Sequence, residues 1–316
     1  FGDATRHVIE KVDAITGIVT RIAGTGQEGD NGDGKLALVA ALDQPRGLAI
    51  DLRGNLLFSD FYRHRIRRVD AATGLIGTIA GNPFGYGTCR GDFLGDGGPA
   101  AQARLNEPLG LFIDLDGNLF IADNCNQRIR KVDAVTGNIS TIAGNGIRGN
   151  SGDGGLATAA SISPMGGIAL DAEGNLYIAD YYNLLVRRVD ARTGRISSLP
   201  YRFNYPQAVA LGMSGELLVL ESASTREAAG GSGNRVLRMS EDRFSAVSIA
   251  GNGPSGSSGD GGPAEKAQLS APSGLIVASG LLVINDTARI RTVRAGVIQT
   301  AVGVGFRSEG GSASGA

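Results

Sequence analysis

The sequence predicts an all-β fold: a six-bladed β-propeller whose blades are four-stranded antiparallel sheets. The first observation is an internal repeat, because the pattern at 54–81 returns at 117–144 and its opening returns from Gly174. A repeat of this size predicts one block of strands per copy, which must stack on its neighbours to bury a core. The second observation is an acidic residue at the end of the second strand of each block. Six occur, within the roughly four to eight blades usual for propellers, at Asp3, Asp60, Asp123, Asp180, Glu221 and Asp286.

Short apolar runs between turn residues predict the strands, here called A to D from the inside of a blade outwards. In the block that opens at Leu105 they fall at 110–114, 119–122, 128–132 and 139–144. Fifty glycines and the absence of tryptophan suit tight turns between short strands. Each Asp-Ala-x-Thr-Gly turn is expected to use a positive φ at its glycine, which has no Cβ to clash. These glycines are Gly17, Gly74, Gly137 and Gly194.

The repeat sets the expected boundaries of a single propeller over 1–305, followed by a Gly/Ser-rich tail at 306–316. The blades are expected at about 1–26, 42–82, 105–145, 162–200, 201–252 and 269–305. The first blade is expected to lack its innermost strand, because its strand B already ends at Asp3. Since the sequence opens on Phe1, we expect any signal peptide to lie outside it. The ragged ends also suggest one module of a larger multidomain chain or assembly.

These motifs resemble the NHL-repeat family of β-propellers. The resemblance rests on Gly-Asn-Leu-Tyr-Ile-Ala-Asp at 174–180, Asn-Gln-Arg-Ile-Arg-Lys-Val-Asp at 126–133 and Gly-Asp-Gly-Gly-Pro-Ala at 95–100 and 259–264. It covers nearly the whole chain and implies a six-bladed ring that is commonly a binding platform and sometimes an enzyme. The sequence departs from the family pattern at Gln127 and Leu184, where histidine is usual, while His64 keeps it.

Four of the D-to-A loops share a Gly-Asp-Gly turn followed by an alanine-rich stretch that we expect to form about two helical turns. The D-to-A and B-to-C connections emerge at one end of a meander propeller, here called the long-loop face. The loop aspartates are interpreted as helix N-caps or Asx turns. The rival interpretation is calcium, since 30–34 superficially resembles an EF-hand loop, but the bidentate glutamate is absent at the proper spacing. The aspartates are Asp33, Asp96, Asp153 and Asp260.

The loop at 198–206 breaks this template and is rich in aromatic residues. Together with the B-to-C connections of blades four and five, it predicts a concave aromatic site with a few charges, suited to ligand binding. The alternative is that the rings fill the space left by the absent helix. The expected ligand-binding residues are Tyr181, Tyr182, Tyr201, Arg202, Phe203, Tyr205 and Arg226.

No catalytic constellation is found, and no cofactor is expected beyond the calcium alternative. His7 and His64 are the only histidines, which excludes a multi-histidine zinc site, and His64 is expected to be a half-buried packing residue. The strand-B acids are interpreted as partners in caps or ion pairs. A metal-dependent propeller enzyme of the lyase or lactonase type remains the alternative. In that case acids such as Asp123, Asp180, Glu221 and Asp286 would hold the metal near the channel.

Charge argues against a nucleic-acid partner, because thirty Lys and Arg nearly cancel thirty-one Asp and Glu. We expect the strand-C arginines to form a solvated, ion-paired outer surface, and we expect no membrane insertion because no apolar run approaches about 20 residues. The arginines are Arg65, Arg67, Arg68, Arg128, Arg130, Arg187, Arg188, Arg289 and Arg291.

The two cysteines predict a disulfide. Cys89 and Cys125 both belong to connections at the long-loop face of neighbouring blades. A disulfide places the protein in an oxidising compartment outside the cytosol, whether secreted, periplasmic or at the cell surface. The rigid ring, the long loops on one face, the aromatic loop and the lack of a catalytic constellation favour a non-enzymatic function. We expect an extracytoplasmic scaffold that recognises a protein, peptide or glycan through its long-loop face.

Overall fold

A computed structural model describes residues 1–13, 16–82, 89, 92–164, 166–223, 233–287 and 289–303. The described strands form six antiparallel sheets, five of four strands and one of three. The predicted fold class, a six-bladed β-propeller of antiparallel sheets with an incomplete first blade, is confirmed. The chain divides into two compact units, and each holds three sheets. The blade boundaries themselves stay a prediction.

The first unit contains blades one to three. Blade one has only β1 (Gly2–Asp3), β2 (Val8–Val12) and β3 (Val19–Ala23). Blade two has β4 (Pro45–Ile50), β5 (Leu56–Asp60), β6 (Arg65–Val69) and β7 (Ile76–Ala80). Blade three has β8 (Pro108–Ile113), β9 (Leu119–Asp123), β10 (Arg128–Val132) and β11 (Ile139–Ala143).

The second unit contains blades four to six. Blade four has β12 (Ile168–Leu170), β13 (Leu176–Asp180), β14 (Leu185–Val189) and β15 (Ile196–Ser198). Blade five has β16 (Pro206–Leu211), β17 (Leu217–Glu221), β18 (Arg235–Met239) and β19 (Ala246–Ala250). Blade six has β20 (Pro272–Ala278), β21 (Leu281–Asp286), β22 (Arg289–Arg294) and β23 (Val297–Val302).

Glycine is required at two kinds of place. The turns between strands C and D put Gly17, Gly74, Gly137 and Gly194 at φ between 66° and 70°, as predicted. Inner strands also approach closely: a Cβ on Gly47 of β4 would lie 1.9 Å from the carbonyl oxygen of Leu109 in β8. A side chain at that position would therefore push two neighbouring blades apart.

The alanine-rich stretches form single 3₁₀ turns of three residues, not two helical turns. The backbone groups of Ala37 explain this, because its carbonyl accepts from Gly24 N–H and its N–H donates to the carbonyl of Gly74, both at 2.9 Å. The same carbonyl accepts from Ala40 N–H, which closes the 3₁₀ turn, so the backbone of the turn is fixed by bonds to two blades. The turns are Ala37–Val39, Ala100–Gln102, Ala157–Ala159 and Ala264–Lys266.

Three of these turns, Ala37–Val39, Ala100–Gln102 and Ala264–Lys266, lie between neighbouring blades of one unit. Gly24 follows the outer strand of blade one, whereas Gly74 belongs to the C-to-D turn of blade two. Ala37, Ala40 and Leu42 are buried in the core that these two blades share. The turns therefore act as wedges between adjacent sheets. Within the described residues, no helix has the length and apolar character needed to cross a bilayer.

Candidate functional site

Five strand-C arginines are buried, which corrects the expectation of a solvated outer surface for them: Arg65 is 4% exposed and pairs with Asp60 at 3.1 Å, and four others are completely buried. Each of these four occupies the third position of its strand and is 0% exposed. They are Arg67, Arg130, Arg187 and Arg291. A guanidinium cannot lose its charge in this setting, so each arginine needs buried acceptors.

Each of the four completely buried arginines bridges two carboxylates. Arg67 places Nη2 2.6 Å from Asp33 of the inter-blade loop and Nη1 3.6 Å from Asp60 at the end of strand B. The loop aspartates are therefore ion-pair partners and not N-caps, and none of the 3₁₀ turns in these loops has a side-chain cap. The other bridges are Asp96–Arg130–Asp123, Asp153–Arg187–Asp180 and Asp260–Arg291–Asp286.

The strand-B acids also hold the chain that enters their own blade. The carboxylate of Asp123 accepts a hydrogen bond from Asn106 N–H at 2.7 Å and another from the Asn126 amide at 2.9 Å. Burial raises the pKa of Asp123 to about 6, although both hydrogen bonds and the charge of Arg130 act in the opposite direction. These contacts occupy the carboxylate with structural partners, as the ion-pair interpretation expects.

Blade five departs from this arrangement in three linked ways. Its preceding loop has no Gly-Asp-Gly turn, its strand-B acid is Glu221, and Leu237 stands at the position of the buried arginine. Leu237 is buried, while Arg235 places Nε 2.8 Å from Glu221. The absence of the loop carboxylate thus coincides with the absence of the arginine that would need it.

Three of the predicted aromatic residues form a cluster beside this irregular loop. The ring of Tyr181 lies 5.0 Å from that of Tyr182 and 5.3 Å from that of Tyr205, between centroids. Tyr182 is exposed, and the other two are half-buried. Burial, together with the neighbouring Tyr182 and Tyr205, raises the pKa of the Tyr181 hydroxyl, which keeps it protonated.

The other predicted site residues have different environments. Phe203, expected as a ligand contact, is 2% exposed; its ring lies 4.9 Å from that of half-buried Tyr201 and its N–H bonds the carbonyl of Leu184. Phe203 lies three residues before the proline that opens strand A, where other blades carry the buried Leu42, Leu105 and Leu269, and it is buried like them. Arg202 is exposed next to it, and Arg226 lies outside the described residues.

His64 is buried and not half-buried as expected. It takes a left-handed conformation with φ 53° after a 3₁₀ turn, and its Nδ1 accepts a hydrogen bond from Glu107 N–H at 3.0 Å. Gln127 and Leu184 take the same conformation at the positions where the sequence lacks histidine. The histidine position is thus a turn that connects one blade to the next.

The predicted disulfide is present between Cys89 and Cys125. Its environment includes a residue that sequence analysis missed, Glu107, whose carboxyl contacts both sulfurs. The sequence held a signal: Gln44, Glu107, Tyr205 and Ala271 each precede the proline that opens strand A, and only Glu107 among them carries a carboxyl.

Comparison with known sequences identifies NHL-repeat relatives. No protein-family model matches the sequence. Over 198 residues, 62% of the chain, it is 30% identical to Protein SUPPRESSOR OF QUENCHING 1, chloroplastic, of Arabidopsis thaliana. It is 29% identical over 202 residues, 60% of the chain, to human NHL repeat-containing protein 2. The chain spans only 18% and 27% of the lengths of these two relatives.

Comparison with solved structures gives propellers of low sequence identity. A chain of a nidogen/laminin complex matches with a TM-score of 0.58 at 14% identity, covering 92% of this chain and 87% of that one. A gluconolactonase from Xanthomonas campestris matches with a TM-score of 0.55 at 13% identity, covering 81% and 75%. At such identities these likenesses carry information about the fold alone.

Proposed function

We propose that this six-bladed β-propeller is of the NHL-repeat type, like the relatives it matches, and that it is a non-enzymatic binding protein whose partner is a segment of another protein. The observation that carries the proposal is the tyrosine cluster of Tyr181, Tyr182 and Tyr205. It lies where the inter-blade loop breaks the pattern of the other blades. A regular scaffold with one irregular, aromatic stretch is a common design of recognition surfaces.

The chemistry of the cluster suits a peptide segment. Tyrosine offers a large apolar ring and a hydroxyl at low cost in side-chain entropy, and for this reason it is enriched at protein interfaces. Tyr182 and Arg202 are both exposed. We therefore expect a ligand that presents an apolar side chain to the rings and a carboxylate to the guanidinium of Arg202.

The proposal is tested by selecting peptides from a displayed random library on the wild-type protein. Selected peptides should bind with micromolar dissociation constants, and Tyr182→Ala should weaken them at least about tenfold, as removal of an aromatic anchor does at other interfaces. Affinity is measured by isothermal titration calorimetry. Enrichment of acidic and apolar residues in the peptides is also expected.

The matched control is Met213→Ala, which truncates an exposed side chain in the A-to-B turn of blade five. This variant should leave peptide affinity unchanged. If both substitutions weaken binding equally, or if no peptide depends on Tyr182, the cluster is not the binding site. If the ligand is a glycan and not a peptide, binding of the same two variants to a glycan array tests the site in the same way.

The alternative, a metal-dependent enzyme of the lyase or lactonase type, has less support. The carboxylates of Asp123, Asp180, Glu221 and Asp286 each lie within 3.6 Å of an arginine nitrogen, so holding a metal would require those pairs to break. Elemental analysis of the purified protein distinguishes the two proposals. A stoichiometric divalent metal that is lost in Asp180→Asn would favour the enzyme.

We further propose an extracytoplasmic location, supported by the Cys89–Cys125 disulfide. Disulfides persist in oxidising compartments and are rare in the cytosol. A fusion of the chain to a compartment-dependent reporter in its source cell would test the location.

A further inference from the structure

The disulfide on the first unit is accessible from solvent and rests against a buried carboxyl. Cys89 is exposed and Cys125 is half-buried, whereas Glu107 is only 5% exposed. Oε2 of Glu107 lies 3.2 Å from Sγ of Cys125 and 3.8 Å from Sγ of Cys89. The Cys89 N–H donates to the other carboxyl oxygen at 3.0 Å, which holds the group in place.

The carboxyl of Glu107 lies where, when protonated, it can donate a hydrogen bond to Cys125 Sγ. A disulfide sulfur has no hydrogen, so a hydrogen bond between Glu107 and Cys125 exists only if Glu107 is the donor. Burial raises the pKa of Glu107, while the Cys89 N–H and the charge of Arg46 oppose that shift. His64 accepts from the backbone N–H of Glu107 through Nδ1. A proton donor is thus held against one sulfur of the bond.

We propose that Cys89 and Cys125 form a dithiol–disulfide exchange site that accepts electrons from a partner dithiol, with Glu107 as the proton donor to Cys125. This activity is independent of ligand binding at the tyrosine cluster. It assigns the disulfide a chemical role in addition to its structural one.

The first step is attack by a partner thiolate on Sγ of Cys89, the more exposed sulfur. The Cys89–Cys125 bond breaks, and its electron pair passes to Sγ of Cys125, which takes the proton of Glu107. The products are a mixed disulfide between the partner and Cys89, a thiol at Cys125 and a carboxylate at Glu107. Thiol–disulfide exchange is faster with a better leaving group, and protonation of Cys125 Sγ makes this sulfur a better leaving group. The amide of Asn124, 3.8 Å from Sγ of Cys125, also faces the developing charge.

In the second step the other thiol of the partner gives its proton to the Glu107 carboxylate and attacks the partner sulfur of the mixed disulfide. Cys89 leaves as a thiolate and takes a proton from water, replacing the proton that the first partner thiol released. The partner dithiol has lost two electrons and two protons, and Cys89 and Cys125 have gained them as two thiols. Glu107 is again protonated.

The test is the rate of reduction of the intact protein by dithiothreitol, followed by acid quench, alkylation and mass spectrometry. At about pH 6, Glu107→Gln should lower the second-order rate constant, expressed per thiolate, about tenfold, which is less than the roughly hundredfold at the low end for general acids because a thiolate already leaves readily. The difference should shrink as the pH is raised to about 9, because a carboxyl that loses its proton can no longer donate it. The matched control is Glu173→Gln, an exposed glutamate of blade four, which should react like the wild type.

Equal rates for Glu107→Gln and wild type at both pH values would overturn the proposal. Faster reduction of Glu107→Gln would do the same, because it would mean that Glu107 only shields the bond. A second measurement uses the wild-type protein, so it tests the proposal even if Glu107→Gln does not fold. Partial reaction of wild type with reduced glutathione should place glutathione on Cys89, and its appearance mainly on Cys125 would contradict the assigned order.

Discussion

At the scale of residues, the molecule depends on buried guanidinium groups that link a loop to a sheet. Arg291 has Nη2 2.7 Å from Asp260 and Nη1 3.6 Å from Asp286, and it also donates to the carbonyl of Gln268. A buried ion pair contributes little net stability when intact, but removing one partner leaves an uncompensated charge. The sequence predicted ion pairs here but not their burial. The alternation of apolar and polar residues along a strand does not show which face of the sheet is covered by a neighbouring loop, so it does not show which arginines are buried.

We expect Arg291→Met to lower the free energy of unfolding by about 3–5 kcal/mol, since Asp286 would stay buried without its cation. Burial already raises the pKa of Asp286, and loss of Arg291 would raise it further. A carboxyl whose pKa is higher in the folded than in the unfolded state makes the protein less stable as the pH rises. The difference in free energy of unfolding between wild type and Arg291→Met should therefore grow between about pH 4 and pH 7. Urea unfolding at both pH values measures this.

The control is Arg294→Met, three positions later on the same strand and exposed. It should cost less than about 1 kcal/mol, as expected of an exposed charge. Equal losses for the two variants, or a loss for Arg291→Met that does not change with pH, would argue against the bridging role.

At the scale of elements, the inter-blade 3₁₀ turns explain the alanine-rich stretches. Ala264, Ala267 and Leu269 are completely buried between blades five and six. The sequence correctly predicted which stretches of the chain form these turns. It could not predict a single short turn, because the backbone bonds that end it go to residues of two different blades.

We expect Ala267→Leu to destabilise the protein by about 1–3 kcal/mol, because a larger side chain has no room between the sheets. A Cβ on Gly259 would already lie 2.7 Å from Ala267. Glu265→Ala, an exposed change in the same turn, should stay within about 0.5 kcal/mol of wild type. Thermal unfolding measures both variants. An unchanged melting temperature for Ala267→Leu would mean that the space between blades five and six can accept the larger side chain.

At the scale of the whole molecule, the repeat is what made the fold predictable. Six acidic strand ends and recurring turn glycines specify the number and type of sheets without any knowledge of tertiary contacts. The convergence of Tyr181 and Tyr205 also followed from the order of the strands. The burial of Phe203 was missed, although its spacing from Pro206 aligns it with Leu105 and Leu269, which are buried at the same position of other blades.

Overall charge leads to a prediction about nucleic acids. The formal net charge is −1, and among the described residues five arginines are buried in ion pairs. Affinity for nucleic acid depends on basic groups that can displace counterions. Single-stranded RNA of about 20 nucleotides should therefore show no saturable binding below about 10 µM at about 50 mM salt by fluorescence anisotropy. Submicromolar binding that weakens steeply with salt would reveal a basic face.

The exceptional blade five has a practical consequence for protein redesign. Wherever a connecting segment supplies Asp33, Asp96, Asp153 or Asp260, the next sheet carries the matching arginine, and where that segment differs the sheet carries Leu237. The connecting segment and the third residue of strand C in the next sheet therefore have to be exchanged together. A graft of the 198–206 segment into another blade should succeed only when leucine replaces the arginine of the recipient sheet.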